Sequence, residues 1–283
     1  MTKKSLLITG ASSGIGKTCA LSLDQLGFKV FAGVRKTEDG DALKNEASER
    51  LQPTILDVTK PETIRQVIEL ISADPQCSFF GLVNNAGIGI SGVLEATPEE
   101  ELRKVLEVNV IGVHAVTKAC LPLLRKNTGR IVNIGSSAGF LSGPGASSYS
   151  ASKFAVRAIT DSLRVEVKPL GMHVSLVAPG AIESDIWDKG RAYKEKMRRS
   201  ANPELLKVYE LFVKAGENMM KVIRPIPALE VAKVVTHALT SNRPKPVYVV
   251  GRDARKARIL SRLPKGLLDW LMIKHLEQIA GRE

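Results

Sequence analysis

The sequence has very little cysteine and no long apolar run. Cys19, Cys77 and Cys120 are the three cysteines in 283 residues, and their spacing matches neither a disulfide framework nor a metal-ligand set. No uninterrupted apolar run in the sequence approaches the ~20 residues that a membrane-spanning helix needs. These absences exclude a disulfide-stabilised scaffold and a multi-span membrane protein. We therefore expect reduced structural thiols, no metal site and a cytoplasmic protein.

Acidic residues are scarce relative to basic ones. The chain has 41 Lys and Arg against 29 Asp and Glu, which gives a formal net charge of +12. The excess lies in residues 188–224, with ten basic and five acidic residues, and in residues 243–283, with ten and four. Such segments suit nucleic acid, an anionic membrane surface or an anionic substrate, and they equally suit a solvated surface.

Repeats and low-complexity tracts are also absent, and in their place short apolar runs alternate with helical patterns. Apolar runs without polar alternation are typical of strands that are buried on both faces of a parallel sheet. The pattern predicts an α/β protein in which one domain, residues 1–251, contains a doubly wound parallel sheet. The predicted strands are 5–9, 29–34, 54–56, 81–83, 130–134, 173–178 and 246–250, and the predicted helices are 17–26, 61–72, 109–124, 149–167 and 228–239.

A glycine-rich turn, Gly10-Ala-Ser-Ser-Gly-Ile-Gly16, joins the first predicted strand to the first helix. Glycine allows the tight turn and a close approach of backbone to a ligand. The N-terminus of the following helix offers free N–H groups and a positive dipole end to a phosphate. We therefore predict a pyrophosphate site made by Gly10, Ser12, Ser13, Gly14, Ile15 and Gly16.

The ends of the next three strands predict which dinucleotide is bound. Val34 stands where an NAD-selecting carboxylate would be, and Arg35 and Lys36 follow it with charges suited to a 2′-phosphate. NADP is therefore favoured, NAD remains an alternative, and both cations could instead be solvated. Beyond the third and fourth strands, Asp57 and Val58 are predicted to contact the adenine, and Asn84, Ala86 and Gly87 the ribose. Ordinary turns are the alternative for both segments.

Tyr149 and Lys153 are four residues apart, so they share one face of a helix. A free tyrosine has a pKa of ~10, and we expect the ammonium together with an oxidised nicotinamide to lower it, which would make Tyr149 a general acid or base. Ser136, just past the fifth strand, is predicted to bond the substrate oxygen. Asn109 is predicted to hold a water that links Lys153 to solvent. The alternative is that Tyr149 and Lys153 simply lie on an exposed helix.

In combination, these motifs resemble those of the short-chain dehydrogenase/reductase family. The glycine turn, Asn84-Asn-Ala-Gly87, Asn109, Ser136, Tyr149-x-x-x-Lys153 and Pro179-Gly180 occur in the family's order over about residues 5–251. The resemblance implies a Rossmann fold and a catalytic tetrad of Asn109, Ser136, Tyr149 and Lys153. It also implies that Pro179, Gly180, Ile182 and Ser184 lie near the nicotinamide, although Thr is usual at the position of Ser184.

Two segments fall outside this pattern. Residues 183–226 are too long for an ordinary connection and predict a helical lid whose apolar stripe either packs on the domain or roofs a lipophilic substrate. Residues 252–283 predict a basic amphipathic helical extension that contacts a membrane reversibly or packs on another subunit. Both segments resemble the retinol and hydroxysteroid dehydrogenase branch.

The sequence thus favours an NADP-dependent oxidoreductase that interconverts a carbonyl and an alcohol, with a steroid, retinoid or acyl compound as the expected substrate. We expect a homodimer or homotetramer and no nucleic-acid partner. A noncatalytic NADP-binding sensor and a membrane-surface or nucleic-acid binding protein on the same fold are the alternatives.

Overall fold

The computed structural model of the protein describes residues 3–74, 77–183 and 203–281. Within these ranges seven strands form one sheet in the order β3-β2-β1-β4-β5-β6-β7, and every neighbouring pair is parallel. This arrangement confirms the predicted doubly wound parallel sheet. The strands are Lys3–Ile8 (β1), Lys29–Val34 (β2), Leu51–Ile55 (β3), Cys77–Asn84 (β4), Arg130–Ile134 (β5), His173–Pro179 (β6) and Val247–Val250 (β7).

Helices cover both faces of the sheet. Their bounds are Gly14–Gln25 (α1), Thr37–Lys44 (α2), Pro61–Ser72 (α3), Glu99–Leu106 (α4), Gly112–Lys126 (α5), Ser147–Val167 (α6), Pro203–Val208 (α7), Glu210–Val222 (α8), Ala228–Thr240 (α9), Arg252–Leu260 (α10) and Lys265–Ala280 (α11). A π-helical turn, Glu107–Ile111, connects α4 to α5.

Successive residues of the central strands enter two separate cores. Leu6 and Ile8 of β1 pack with residues of α1 and α9, whereas Leu7 packs on the opposite face with residues of α3 and α5. Phe31 of β2 joins the second core, while Val30 on the same strand joins the first. Because side chains alternate across a strand, a strand covered on both faces is mostly apolar, and its few buried polar side chains need hydrogen-bond partners. This requirement explains the uninterrupted apolar runs in the sequence.

The continuous helical stretch Glu99–Lys126 is long and apolar enough, by length and composition, to cross a membrane. Its apolar side chains Val113, Val116 and Leu124 are nevertheless buried within the protein. Packing on the core therefore accounts for the apolar character of this stretch.

The buried thiols are structural, as expected for the two cysteines whose side chains are described. Cys19 and Cys120 are free and buried. Burial raises the pKa of Cys19 to about 12 and raises the pKa of Cys120 further. Such thiols are poor nucleophiles because the reactive form is the thiolate.

Helix α2 was not among the predicted elements. Its sequence is mostly polar, and only Gly40 and Leu43 are buried. A single buried large side chain provides no apolar period, so the 3.6-residue pattern could not reveal this helix.

The C-terminal helix α11 packs against helix α8 of the lid segment. Ala215 on α8 is buried together with Leu276 and Ile279 on α11. The Asn218 side chain donates a hydrogen bond of 3.0 Å to the backbone oxygen of Ile279. The apolar stripe predicted in the lid is therefore partly covered by the chain's own C-terminal extension.

Candidate active site

The predicted site residues lie at one edge of the sheet, where all parallel strands end. The glycine turn follows β1, Arg35 follows β2, Asp57 follows β3 and Ser136 follows β5. Parallel strands place their carboxyl ends together, which is why segments far apart in sequence form one cleft.

The glycine turn is packed so closely that side chains would not fit. A Cβ atom on Gly16 would lie 2.1 Å from the backbone oxygen of Gly10, and one on Gly10 would lie 2.8 Å from the Cα atom of Ala86. Gly10 and Gly14 also have positive φ angles of 66° and 53°. The turn is thus held directly against the segment that follows β4.

Two residues outside the predicted site set hold these segments together. The Thr9 hydroxyl accepts hydrogen bonds from the backbone N–H groups of Asn85 (3.0 Å) and Ala86 (2.9 Å). The Asn85 amide donates to the backbone oxygens of Thr9 and Gly10 at 3.0 and 2.9 Å. Both residues belong to the sequence motifs, but only the folded contacts show that they shape the turn.

The first turn of α1 is suited to an anion. Ser13 is the N-cap residue, its side chain makes no capping hydrogen bond, and no acidic residue lies in the first turn. The N–H groups of this helix end and its positive dipole therefore face the edge of the sheet without a competing carboxylate. Together with the glycines, this end fits a dinucleotide pyrophosphate.

Arg35 and Asp57 lie close enough to influence each other. Burial raises the pKa of Asp57, but hydrogen bonds from the backbone and hydroxyl of Thr59, together with the charges of Arg35 and Lys60, outweigh burial and leave that pKa below its usual value. One Asp57 oxygen accepts from the Thr59 backbone (3.0 Å) and hydroxyl (2.7 Å). Asp57 therefore also shapes the turn before α3, and the exposed Arg35 extends from the same corner.

Val58 and Asn84 have their side chains in the core. Gly112 contacts Val58 so closely that a Cβ there would lie 2.6 Å from a Val58 methyl carbon. The buried Asn84 amide donates to Thr117 Oγ1 and Asn133 Oδ1, each at 2.8 Å. Both side chains thus support the cleft from below. A role in cofactor contact remains a prediction for them, for Ala86 and for the exposed Gly87.

Ser136, Tyr149 and Lys153 meet at the end of β5. The Ser136 hydroxyl lies near enough to the Tyr149 hydroxyl to lower the pKa of the tyrosine, and the Lys153 Nζ atom lies 5.7 Å from the centre of the Tyr149 ring. Lys153 Nζ donates a hydrogen bond of 3.0 Å to the backbone oxygen of Ile134. The Ser136 and Tyr149 hydroxyls and the buried Lys153 ammonium therefore lie together at this edge of the sheet.

The pKa of Tyr149 shifts in the direction opposite to the one expected from sequence. Burial raises this pKa, and the hydrogen bond with Ser136 only partly opposes the increase. Burial also lowers the pKa of Lys153 to about 8, which weakens its hold on a proton. The protein groups alone therefore do not favour the phenolate, and the oxidised nicotinamide is the charge that would be needed to do so.

Asn109 holds the catalytic helix through a third residue. Its amide oxygen accepts from the Ile88 N–H at 2.8 Å, and its amide nitrogen donates to the Ile88 oxygen at 2.9 Å and to the Ser152 hydroxyl at 3.0 Å. Ser152 in turn donates to the backbone oxygen of Tyr149 at 2.7 Å. Both amide hydrogens of Asn109 thus bond protein groups, and its bond to a water that links Lys153 to solvent stays a prediction. Asn109 lies in the π-helical turn, a feature that is frequent at functional sites.

The loop after β6 completes the edge. Pro179 ends the strand and Ile182 is buried, while Ser184 lies outside the described residues. Gly135 N–H donates a hydrogen bond of 2.7 Å to the oxygen of Val177 on β6, so the strand that leads into this loop runs beside the segment that carries Ser136.

A comparison with known families agrees with this geometry. The model of the family described as "short chain dehydrogenase" matches residues 4–195, which include the glycine turn, Ser136, Tyr149 and Lys153. This chain belongs to the short-chain dehydrogenase family. It is accordingly an oxidoreductase that acts on the CH–OH group of its substrate.

Named relatives of this short-chain dehydrogenase align over almost its whole length. It is 38% identical to the 17-beta-hydroxysteroid dehydrogenase type 6 of Bos taurus, covering 96% of this chain and 88% of that protein. It is 33% identical to the human retinol dehydrogenase 5, with 97% and 90% covered. The predicted likeness to the retinol and hydroxysteroid branch is thereby confirmed.

A solved structure shows the same fold. The short chain dehydrogenase from Burkholderia cenocepacia J2315, crystallised in complex with NADP, is 26% identical and has a TM-score of 0.73, with 95% of this chain and 97% of that chain covered. The similarity therefore extends over nearly the whole length of both chains.

Proposed function

We propose that the protein is an NADP-dependent oxidoreductase that interconverts a carbonyl and an alcohol on a lipophilic substrate of the steroid, retinoid or acyl type. The observation that carries the proposal is the convergence of Ser136, Tyr149 and buried Lys153 at the end of a glycine-lined edge.

The proposed chemistry assigns one task to each side chain. In reduction, the Tyr149 hydroxyl gives its proton to the substrate oxygen, which the Ser136 hydroxyl holds, and in oxidation the proton returns by the same route. Lys153 provides positive charge below the ring of Tyr149. Asn109 fixes the helix through Ser152. The bound dinucleotide supplies or accepts the hydride at the substrate carbon.

The proposed cofactor site follows the edge of the sheet. The pyrophosphate lies at the glycine turn, the adenine end between β2 and β3, and the nicotinamide beside Tyr149, Lys153 and the loop after β6. The residues assigned to it are Gly10, Ser12, Ser13, Gly14, Ile15, Gly16, Arg35, Lys36, Asp57, Val58, Asn84, Ala86, Gly87, Tyr149, Lys153, Pro179, Gly180, Ile182 and Ser184.

Preference for NADP is supported by Arg35. A guanidinium can bind a 2′-phosphate through two hydrogen bonds, and Val34 offers no carboxylate to the 2′-hydroxyl of NAD. The related structure that contains NADP points the same way.

Replacing Arg35 with Leu should weaken NADPH binding by about 10- to 100-fold, because a charge-assisted pair with phosphate is lost. NADH binding should change by less than about threefold. The matched control is Arg65→Leu, which removes an exposed arginine whose partner is Glu69 on α3. Equal losses for NADPH and NADH, measured by fluorescence titration, would contradict the assignment.

A lipophilic substrate is supported by exposed apolar side chains where the lid contacts the loop that follows β4. The Tyr209 hydroxyl, between α7 and α8, donates to Glu95 at 2.8 Å, so the lid contacts the loop that follows β4. The neighbouring residues Leu94 and Val208 are each 76% exposed. Apolar surface beside a site of this kind favours a substrate that covers it.

The substrate class is tested by NADPH oxidation with a steroid ketone, a retinoid aldehyde, a medium-chain acyl ketone and a small hydrophilic aldehyde. We expect kcat/KM for at least one of the first three to exceed that for the hydrophilic aldehyde by about 100-fold, since apolar burial contributes ~0.8 kcal/mol per methylene. A preference for the hydrophilic aldehyde would overturn the lipophilic assignment.

We further propose that α11 contacts an anionic membrane surface from the cytoplasm. One face of α11 packs on α8, and the opposite face carries exposed Leu267, Trp270 and Leu271. Arg262, Lys265 and Lys274 lie in or beside the same helix. Exposed apolar side chains next to cations suit shallow insertion among anionic headgroups.

Vesicles that contain phosphatidylserine should therefore sediment the protein at low salt, and high salt should release it. Trp270→Ser should weaken sedimentation, whereas Val165→Ser, at an apolar position of α6 that is 66% exposed, should not. Absence of sedimentation would remove the proposal. If Trp270→Ser instead dissociates the expected homodimer or homotetramer in light scattering, a second copy covers this face.

A further inference from the structure

A carboxylate from the C-terminal extension reaches the loop that follows β6. Asp253, in the first turn of α10, accepts a hydrogen bond of 2.7 Å from the Ala181 N–H through its Oδ2 atom. The preceding N–H, that of Gly180, donates to the Val250 oxygen at 2.9 Å. Two consecutive N–H groups of the loop are thus held by β7 and the helix that follows it.

Two glycines make room for this carboxylate. A Cβ atom on Gly180 would lie 2.0 Å from Asp253 Oδ1, and one on Gly251 would lie 2.6 Å from the same oxygen. Gly251 also has a φ angle of 103°, a conformation that suits glycine. The position of Asp253 in the first helical turn is favourable for its negative charge. The two glycines and the place of Asp253 in the first helical turn therefore each favour the contact between Asp253 and Ala181.

The same loop is also hydrogen-bonded to Ile226, the last residue of the lid segment. The Ala181 oxygen accepts from the Ile226 N–H at 3.0 Å, and the Glu183 N–H donates to the Ile226 oxygen at 3.0 Å. Ala181 is therefore the point at which the β6 loop, the end of the lid and the C-terminal extension join. The hydrogen bond between Gly135 and Val177 places the end of β6, which leads into this junction, beside the segment that carries Ser136.

We propose that Asp253 is a positioning residue that holds the Gly180–Ala181 backbone in the conformation that receives the nicotinamide end of the cofactor. This inference rests on the proposed function for the place of the nicotinamide. It also gives the extension a role in cofactor binding, in addition to any membrane or subunit contact. Removal of the carboxylate leaves the adenine end untouched, because Asp253 has no contact with the glycine turn or with Arg35 among the hydrogen bonds and ion pairs of the described residues.

The experiment compares Asp253→Ala, Asp253→Asn and a control, Asp269→Ala, which removes an exposed acid from α11. Dissociation constants are measured by fluorescence for NADPH and by calorimetry for 2′,5′-ADP, which probes the adenine end alone. Hydrogen exchange is measured for a peptide containing residues 180–183, and thermal unfolding reports the integrity of the fold.

For Asp253→Ala we expect the dissociation constant for NADPH to rise about tenfold or more, since a charge-assisted hydrogen bond no longer holds the loop. Affinity for 2′,5′-ADP should stay within about twofold, and exchange at residues 180–183 should accelerate. Asp253→Asn should recover part of the NADPH affinity because its amide oxygen can still accept from Ala181. KM for NADPH should rise more than kcat falls, and Asp269→Ala should behave as the wild type.

Unchanged NADPH affinity in a folded Asp253→Ala variant would overturn the proposal. So would a parallel loss of NADPH and 2′,5′-ADP affinity, which would show a general effect on the fold. If the wild type fails to bind 2′,5′-ADP, the NADP assignment fails on its own, and the Asp253 variants are then judged with NADH against AMP by the same two criteria.

Discussion

Replacing Tyr149 with Phe should reduce NADPH oxidation by about 10²- to 10⁴-fold, which is the usual contribution of a positioned acid or base. The change removes only the hydroxyl beside Ser136 and keeps the aromatic ring next to Lys153. Affinity for NADPH should therefore stay within about threefold. Turnover is measured with a responsive ketone or aldehyde, and affinity is measured by fluorescence.

Tyr248→Phe is the matched control for this substitution. Tyr248 lies on β7, and its hydroxyl is 2.8 Å from His237 Nδ1 and accepts from the Lys245 N–H at 2.9 Å. Its loss should cost about 1 kcal/mol of stability and leave turnover intact. A Tyr149→Phe variant that retains more than about a tenth of wild-type turnover would show that Tyr149 is not the proton donor.

The free energy of unfolding of the wild type should rise with pH above 8. This rise should be absent in Lys153→Met. Burial lowers the folded-state pKa of Lys153 to about 8, below the ordinary lysine value of 10.5 that the unfolded chain would retain. Between these two values the unfolded state binds more protons, so raising the pH stabilises the folded state. The full difference corresponds to about 3 kcal/mol, at about 1.4 kcal/mol for each pKa unit.

Urea unfolding at intervals between pH 7.5 and pH 10 measures this slope. Above pH ~10 the raised pKa of Tyr149 acts in the opposite direction, because the unfolded chain then releases its tyrosine proton first. Lys118→Met, at an exposed position of α5, controls for the loss of one lysine. Identical slopes in the wild type and Lys153→Met would contradict the lowered pKa. Lys153→Met should also lower turnover strongly, because the charge below Tyr149 is gone.

The depressed pKa of Lys153 has a consequence for catalysis. Near neutral pH the Lys153 side chain is mostly protonated. Its pKa nevertheless lies much closer to neutrality than the pKa of an exposed lysine does. The cation beside Tyr149 should therefore be lost within about one to two pH units above neutrality unless other charges support it. The spacing of Tyr149 and Lys153 in the sequence does not predict the lowered pKa of Lys153, since burial alone causes it.

Local patterns in the sequence determined the main features of the fold. Uninterrupted apolar runs predicted five of the strands to within two residues at each end, because a strand covered on both faces has little room for polar side chains. The glycine turn predicted a close approach of backbone, and the contacts of Gly10 and Gly16 show that approach. The spacing of Tyr149 and Lys153 placed both on one helical face because the α-helix repeats every 3.6 residues.

Contacts between distant segments were decided only by the tertiary structure. The direction of the Tyr149 pKa depends on burial, which no local pattern measures. The path from Asn109 through Ser152 to Tyr149 joins two helices, and the bond from Asp253 to Ala181 joins residues 72 positions apart. Helix α11 likewise meets α8 across a long separation in sequence. Periodicity and turn chemistry act over a few residues, so the sequence by itself determined the elements and the reacting groups. Packing of the whole chain decided how those groups are held and how they ionise.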